Sequence, residues 1–222
     1  MKTTPEPPRP DDGAASLLGH LDELRRRLLL ALGALGLGTA LALGFARHLV
    51  LWLQAPVRAY VPELMLLRPA EIITAYVKVS LYAGAVAAAP VVVALAWGFL
   101  RPALPARART GLGGWAVLSV LLFAAGTAFA YFLVLPTAVR FLLAVARPVA
   151  TPLIGLGGYV SFALAVLLLA GAVFQLPIVL GVLSQVGLVT PALLRTHRRT
   201  AVFVMFVLAA VLTPTTDVVN LV

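Results

Sequence analysis

Long apolar runs separated by short polar stretches dominate this sequence. The runs extend over about Leu24 to Gly44, Ile72 to Phe99, Trp115 to Leu135, Val160 to Leu183 and Ala201 to Leu212. A helix needs roughly 20 predominantly apolar residues to cross a hydrocarbon core about 30 Å thick. The fifth run is shorter, about 18 Å of helix, and implies local thinning or interfacial anchoring. The pattern predicts an all-α polytopic membrane protein with five complete spans.

The segment that precedes the first run already has a helical pattern. Its leucines recur at spacings of four, three and four, at Leu17, Leu21, Leu24 and Leu28. Glu23 stands four residues before Arg27, an order that supports a helix. The Arg25–Arg27 cluster resists translocation, which predicts a cytoplasmic N-terminus. Two interpretations stay open: a solvated helix start with a topology signal, or an acid at Glu23 that helps to receive a basic partner.

The chain divides into a tail and a membrane domain. Residues 1–13 are polar and Pro-rich, and they lack the apolar core of a cleaved signal peptide. We expect a disordered cytoplasmic tail over 1–16 and a transmembrane domain over 17–222. The basic loops at Arg101–Arg109 and Arg195–Arg199 are predicted on the same side as the N-terminus.

The other two connections are predicted outside. Residues 47–69 are interrupted by prolines, among them Pro56, and the stretch Leu49–Leu53 with Trp52 is predicted to lie at the membrane interface. Residues 136–158 begin at Pro136 and are predicted as a second external segment, with a short interfacial helix over Phe141–Val145.

Several polar residues and prolines lie within the predicted spans. Pro90 and Pro177 each remove a backbone donor and predict kinks. Gln175 is close to the carbonyl that Pro177 leaves free, so it either satisfies the kink locally or contacts a partner helix or an inserted peptide. Glu71 and Lys78 are two helical turns apart and share a face, which favours a structural role as anchors.

Composition excludes several classes of protein. Apolar residues make up 62% of the chain, charged residues 11%, and the mean hydropathy is +1.04. The net charge of +9 is carried largely by arginines beside spans, which points to topology and anionic lipid rather than nucleic acid. The absence of cysteine excludes disulfides and thiolate chemistry. The three histidines lie in loops or span ends, so no intramembrane enzyme site and no cofactor is predicted.

A series of short motifs extends along nearly the whole chain. They are His20-Leu21-x-Glu23-Leu24-Arg25, Ala55-Pro56, Pro69-Ala70-Glu71 with Lys78, Ala89-Pro90, Trp97-x-Phe99-x-x-Pro102-x-Leu104, Gly126 to Tyr131, Pro136, Tyr159-x-Ser161-Phe162, Phe174-x-x-Pro177, and Thr213-Pro214 with Asp217. In their order and spacing these motifs together resemble the TatC family, the core subunit of the twin-arginine protein translocase.

The resemblance implies six helices in a cupped bundle in the bacterial inner membrane, without enzymatic activity. It implies binding of twin-arginine signal peptides at the cytoplasmic face, assembly with small single-span TatA/TatB-type subunits, and export of folded proteins by the proton motive force. The implied signal-peptide surface comprises Glu23, Arg25, Phe99, Pro102, Leu104, Arg107, Ala108 and Arg109. Phe174, Gln175 and Pro177 are implied intramembrane contacts, and Pro56, Glu71, Lys78, Pro90, Tyr131, Pro136 and Asp217 are structural positions.

The chain departs from the family pattern at three places. Ala108 stands where the family has a second acid, and two guanidinium groups are best held by two carboxylates. Gln175 stands where the family often has an acid, and a neutral amide does not carry protons. The chain stops soon after Asp217, so we expect a truncated sixth span. A degenerate, truncated translocase paralogue is therefore one alternative. A small-solute transporter is another, although it needs more polar groups at mid-membrane than Gln175 and scattered hydroxyls supply.

Overall fold

The computed structural model describes residues 11–101, 112–147 and 152–185, with side chains described from Leu21 onward. The helices in these ranges are α1 (Asp11–Leu43), α2 (Ala46–Gln54), α3 (Glu71–Leu100), α4 (Leu112–Phe129), α5 (Leu135–Ala146), α6 (Leu156–Val173) and α7 (Leu176–Gln185). A 3₁₀ turn at Ala55–Val57 follows α2, and a π-helical turn at Ala130–Val134 joins α4 to α5.

Four helical segments are long and apolar enough to cross a membrane in the described part of the chain. They cover Leu21–Leu43, Glu71–Phe99, Gly113–Ala146 and Leu156–Gln185. They coincide with the first four predicted apolar runs, which confirms the all-α polytopic fold class. The predicted fifth span and Asp217 lie outside the described residues.

The first helix begins earlier than the polar composition predicts. It starts at Asp11 and therefore includes residues 11–16, which we expected in a disordered tail. Acidic residues are favourable at the first positions of a helix, and the sequence at this start reads Asp11-Asp12.

The third apolar helix continues beyond Leu135, the residue at which the sequence predicts the third span to end. It runs through the π-helical turn and α5 as far as Ala146, so Pro136 lies within a continuous helical segment. Pro136 takes one of the first two positions of α5, where a missing N–H is tolerated. The wider turn just before it changes the helical register, which lets the chain pass a proline without unwinding.

The fourth span is interrupted, as Pro177 predicts. Helix α6 ends at Val173 and α7 begins at Leu176. The Phe174 and Gln175 amides donate to the carbonyls of Ala170 and Ala172, both at 3.0 Å. By contrast, α3 passes Pro90 without an interruption in its helical assignment.

Close backbone approach holds the long helices together. A Cβ placed on Gly84 of α3 would lie 2.5 Å from the Thr39 nitrogen of α1, and one on Gly126 of α4 would lie 2.7 Å from the Ala170 carbonyl of α6. Small residues allow such contacts, which matter because lipid gives helices no hydrophobic reason to associate.

The main buried cluster lies toward one end of the bundle. We call it the Glu71 end, comprising α2, residues 55–71, α5 and the start of α6, and we call the opposite end the Arg27 end. Buried residues at the Glu71 end include Leu53, Val57, Leu135, Leu143 and Val160. Helix α2 includes the stretch Leu49–Leu53, which the sequence predicts at the membrane interface.

Candidate functional site

At the Arg27 end, one arginine joins the first two spans. Arg27 Nη2 donates to Glu23 Oε1 within α1, and Nη1 donates to the Leu95 carbonyl of α3 at 2.9 Å. The guanidinium carbon lies 6.0 Å from the centre of the Phe99 ring. The Arg27 side chain is 22% exposed and that of Glu23 is 43% exposed, so the Glu23 carboxylate stays accessible to a ligand that approaches this end of the bundle.

Gly98 makes this arrangement possible. A Cβ at this position would lie 2.8 Å from Arg27 Nη1, so a larger residue would push the guanidinium away from α3. The Leu95 carbonyl lies near the C-terminal end of α3, where the helix dipole is negative. Carboxylate, carbonyl and aromatic ring are the three groups that bind a guanidinium well. We call Glu23, Leu95 and Phe99 the guanidinium site.

The remaining predicted signal-peptide residues do not all join this site. Arg25 lines a separate open cleft of about 430 Å³ with Asp22, Arg26, Leu29 and Leu30. Pro102, Leu104, Arg107, Ala108 and Arg109 lie outside the described residues. The sequence pattern placed Arg27 opposite Glu23, but it gave no sign of the contact with Leu95, which is 68 positions away.

Inside the membrane, Gln175 links the third and fourth spans. Its Nε2 donates to the Ser119 carbonyl of α4 at 2.8 Å, and the buried Ser119 hydroxyl donates to the Trp115 carbonyl at 2.9 Å. The Gln175 amide thus bonds a neighbouring helix. The local interpretation expected it to bond the Val173 carbonyl within its own kink, which it does not do. Beside it, the Phe174 ring lies 5.9 Å from the ring of Phe129.

At the Glu71 end, Glu71 accepts three backbone N–H groups. Its Oε2 accepts from Leu67 at 2.9 Å and Arg68 at 3.3 Å, and its Oε1 accepts from Gly157 at 2.8 Å. Gly157 lies in the first turn of α6, where N–H groups have no partner inside the helix. A Cβ on Gly157 would lie 2.7 Å from Oε1, so only glycine allows this approach. One carboxylate therefore joins α3 to the N-terminus of α6.

Lys78, two turns further along α3, also contacts α6. Its Nζ donates to Ser161 Oγ at 2.8 Å. Glu71 and Lys78 thus share one face, as their spacing predicts, and that face is turned toward α6. Close by, the Met65 N–H donates to the Ile154 carbonyl at 2.9 Å, and the Met65 carbonyl accepts from the Leu156 N–H at 2.8 Å.

Two tyrosines hold the C-terminus of α2. The Tyr131 hydroxyl donates to the Trp52 carbonyl at 2.7 Å, and the Tyr159 hydroxyl donates to the Leu53 carbonyl at 2.6 Å. The Tyr131 ring also stacks on Trp52, with centroids 4.2 Å apart. Tyr131 is buried against α2. Pro56 follows α2 directly, within the 3₁₀ turn that ends it.

Comparisons with known proteins agree on one family. The family model described as Sec-independent protein translocase protein (TatC) matches residues 19–222. A protein of that name from Aquifex aeolicus is 36% identical over 89% of this chain and 84% of its own length. The one from Synechocystis is 36% identical over 94% of this chain and 81% of its own length.

Solved structures agree with the sequence comparisons. A crystal structure of the twin-arginine translocase receptor TatC has a TM-score of 0.78 and 37% identity, covering 88% of this chain and 87% of its own. A second, in the detergent DDM, has a TM-score of 0.80 and 36% identity over 88% of each chain.

Proposed function

The chain belongs to the TatC family of Sec-independent protein translocase subunits, and on that premise we propose that its guanidinium site binds a twin-arginine signal peptide. Members of the family are membrane-embedded translocase receptor components, not enzymes. The proposal goes further, because it assigns the recognition of one peptide arginine to Glu23, Leu95 and Phe99.

The observation that carries the proposal is the position of Arg27. This arginine shows that one guanidinium fits between the Glu23 carboxylate, the Leu95 carbonyl and the Phe99 ring. A peptide arginine offers the same group, and the accessible Glu23 carboxylate can exchange one guanidinium for another. With Ala108 in place of a second acid, the second peptide arginine lacks a matching carboxylate in that loop.

A crosslinking experiment tests this assignment. A peptide with a photoreactive group beside its arginine pair is bound to membranes that contain the full chain. Glu23→Gln should lower crosslinking, Ala108→Glu should raise it, and Asp22→Asn, a matched loss of one neighbouring acid, should leave it near the parent level. Equal effects of Glu23→Gln and Asp22→Asn, or no gain from Ala108→Glu, would refute the role of Glu23.

The orientation follows from the arginine asymmetry. The chain lies in a bacterial inner membrane. The Arg27 end, with the loops at 101–109 and 195–199, faces the cytoplasm, and the Glu71 end faces the opposite side. The chain has no cysteine, so single cysteines can be labelled cleanly. A cysteine at Ala106 should resist labelling from outside intact cells, whereas one at Arg58 should react; the reverse pattern would refute the orientation.

Assembly with TatA/TatB-type single-span subunits, and export driven by the proton motive force, complete the proposal. Gln175 is the group for a partner helix or an inserted peptide, since its Nε2 is held by Ser119 while its Oε1 has no donor among the described residues. Gln175→Leu should reduce co-purification of a single-span subunit, and unchanged co-purification would remove Gln175 from that role.

A further inference from the structure

Lys78 is a cation on the accessible surface of a candidate membrane span, beside α6. It is exposed, and the one hydrogen bond of its ammonium to the described residues is to Ser161 Oγ at 2.8 Å, with no ion pair among them. Ser161 is uncharged, so it satisfies one N–H of the ammonium and none of its charge. A charge inside a membrane span is costly unless a counter-charge or the interface is within reach.

The depth of Lys78 brings its ammonium to the headgroup level. Helix α3 has 30 residues, about 45 Å of helix, so a hydrocarbon core of ~30 Å centred on it covers roughly residues 76–95. The Lys78 backbone then lies just inside the edge of the hydrocarbon. Its acceptor, Ser161, is one helical turn beyond Gly157, which contacts Glu71. The side chain therefore reaches back toward the Glu71 end, as a snorkelling lysine does.

An apolar groove runs inward from this ammonium between α3 and α6. Its volume is about 370 Å³, and apart from Lys78 and Ser161 it is lined by Leu81, Tyr82, Ala85, Leu164, Ala165 and Leu168. The Tyr82 hydroxyl already has Thr127 Oγ1 as a partner at 3.4 Å. The groove thus has a positive group at the headgroup level and an apolar remainder, which is the complement of an anionic amphiphile.

We propose that Lys78 and Ser161 bind the phosphate of a phospholipid in the leaflet at the Glu71 end, and that one acyl chain lies in the groove. The ammonium has donors to spare for a phosphate oxygen. The nearest acid along its helix face, Glu71, already accepts three backbone N–H groups. A carboxylate on a partner helix is the competing counter-charge, but it would have to be carried into the membrane, whereas lipid phosphate is already present at this depth.

Native mass spectrometry of the full chain in detergent, titrated with phosphatidylglycerol, tests the proposal. A charge-assisted hydrogen bond contributes about 1.5 kcal/mol or more, so Lys78→Gln should weaken lipid binding about tenfold. Arg140→Gln is the matched control, because Arg140 is also an exposed cation on a candidate span but does not line this groove. Lys78→Arg should retain binding. Ala85→Phe should weaken binding with every charge in place, because the ring occupies the groove.

The alternatives give different results. Competition by inorganic phosphate at lipid concentrations would show that the site binds free phosphate, which contradicts a lipid site. Equal losses in Lys78→Gln and Arg140→Gln, or full binding by Ala85→Phe, would also overturn the proposal. If Lys78→Gln released a co-purified single-span subunit and kept the lipid, the counter-charge would be a protein carboxylate.

Discussion

Removal of the Tyr159 hydroxyl should loosen α2 from the bundle. Tyr159 is 3% exposed and Leu53 is 2% exposed, so their hydrogen bond of 2.6 Å is closed off from solvent. The Leu53 carbonyl belongs to the last turn of α2, where carbonyls lack partners inside the helix. Tyr159→Phe keeps the ring and leaves this carbonyl without its donor, so the substitution isolates the hydrogen bond.

The magnitude follows from the cost of an unsatisfied buried polar group. That cost is about 1–3 kcal/mol, which corresponds to a roughly 5- to 150-fold increase in the opening equilibrium of α2. Hydrogen exchange of a peptide covering residues 46–54, measured by mass spectrometry in detergent, should accelerate within this range. Exchange in the middle of α3 should not change, because the lost contact does not involve that helix.

Two further variants make the test decisive. Tyr60→Phe removes a hydroxyl from an exposed ring and should leave exchange unchanged. Tyr131→Phe removes the neighbouring donor to Trp52 and keeps the stacked rings, so it should also accelerate exchange. The two donors hold adjacent carbonyls, so the double variant should deviate from additivity by at least about 0.5 kcal/mol. If Tyr159→Phe exchanged no faster than Tyr60→Phe, the hydroxyl would have no role in holding α2.

Two other predictions concern the ends of the bundle. Arg27→Gln should strengthen binding of a twin-arginine peptide, measured by fluorescence anisotropy, because it frees Glu23 from its internal partner; weaker binding would mean that the peptide does not take the place of Arg27. Gly157→Ala should lower the thermal unfolding midpoint in detergent, because the added Cβ collides with Glu71, whereas Gly158→Ala, which faces open space, should not; equal midpoints would contradict a close contact there.

Apolar run length identified the described spans because it measures a requirement of the membrane itself. It did not predict that the helix continues past Pro136, because the pattern contains a helix breaker but no information about the π-helical turn that accommodates it. Apolar run length also does not show at which glycines two helices approach closely. Gly38 contacts Gly84 closely, whereas Gly36 and Gly33, two and five residues before it on the same helix, have no atom within 4 Å of an added Cβ.

Polar contacts between helices could not be predicted from sequence patterns, for a different reason. Four of them in the described residues end on a backbone carbonyl: Arg27 on Leu95, Gln175 on Ser119, Tyr131 on Trp52 and Tyr159 on Leu53. Every residue has the same backbone carbonyl, whatever its side chain. The identity of the acceptor residue therefore does not mark it as a partner. The donor can be recognised as an unusual polar group in an apolar span, but its acceptor depends on how the helices pack.

This asymmetry has a physical consequence for the candidate guanidinium site. The Leu95 carbonyl survives any substitution of the Leu95 side chain that keeps α3 helical, whereas Glu23 contributes through its side chain alone. The position of the carbonyl, in turn, depends on how closely α1 approaches α3, which Gly84 and Gly98 permit. Recognition of a guanidinium at the Arg27 end is therefore sensitive to two kinds of change: loss of the carboxylate at Glu23, and any added side chain that moves α3 away from α1.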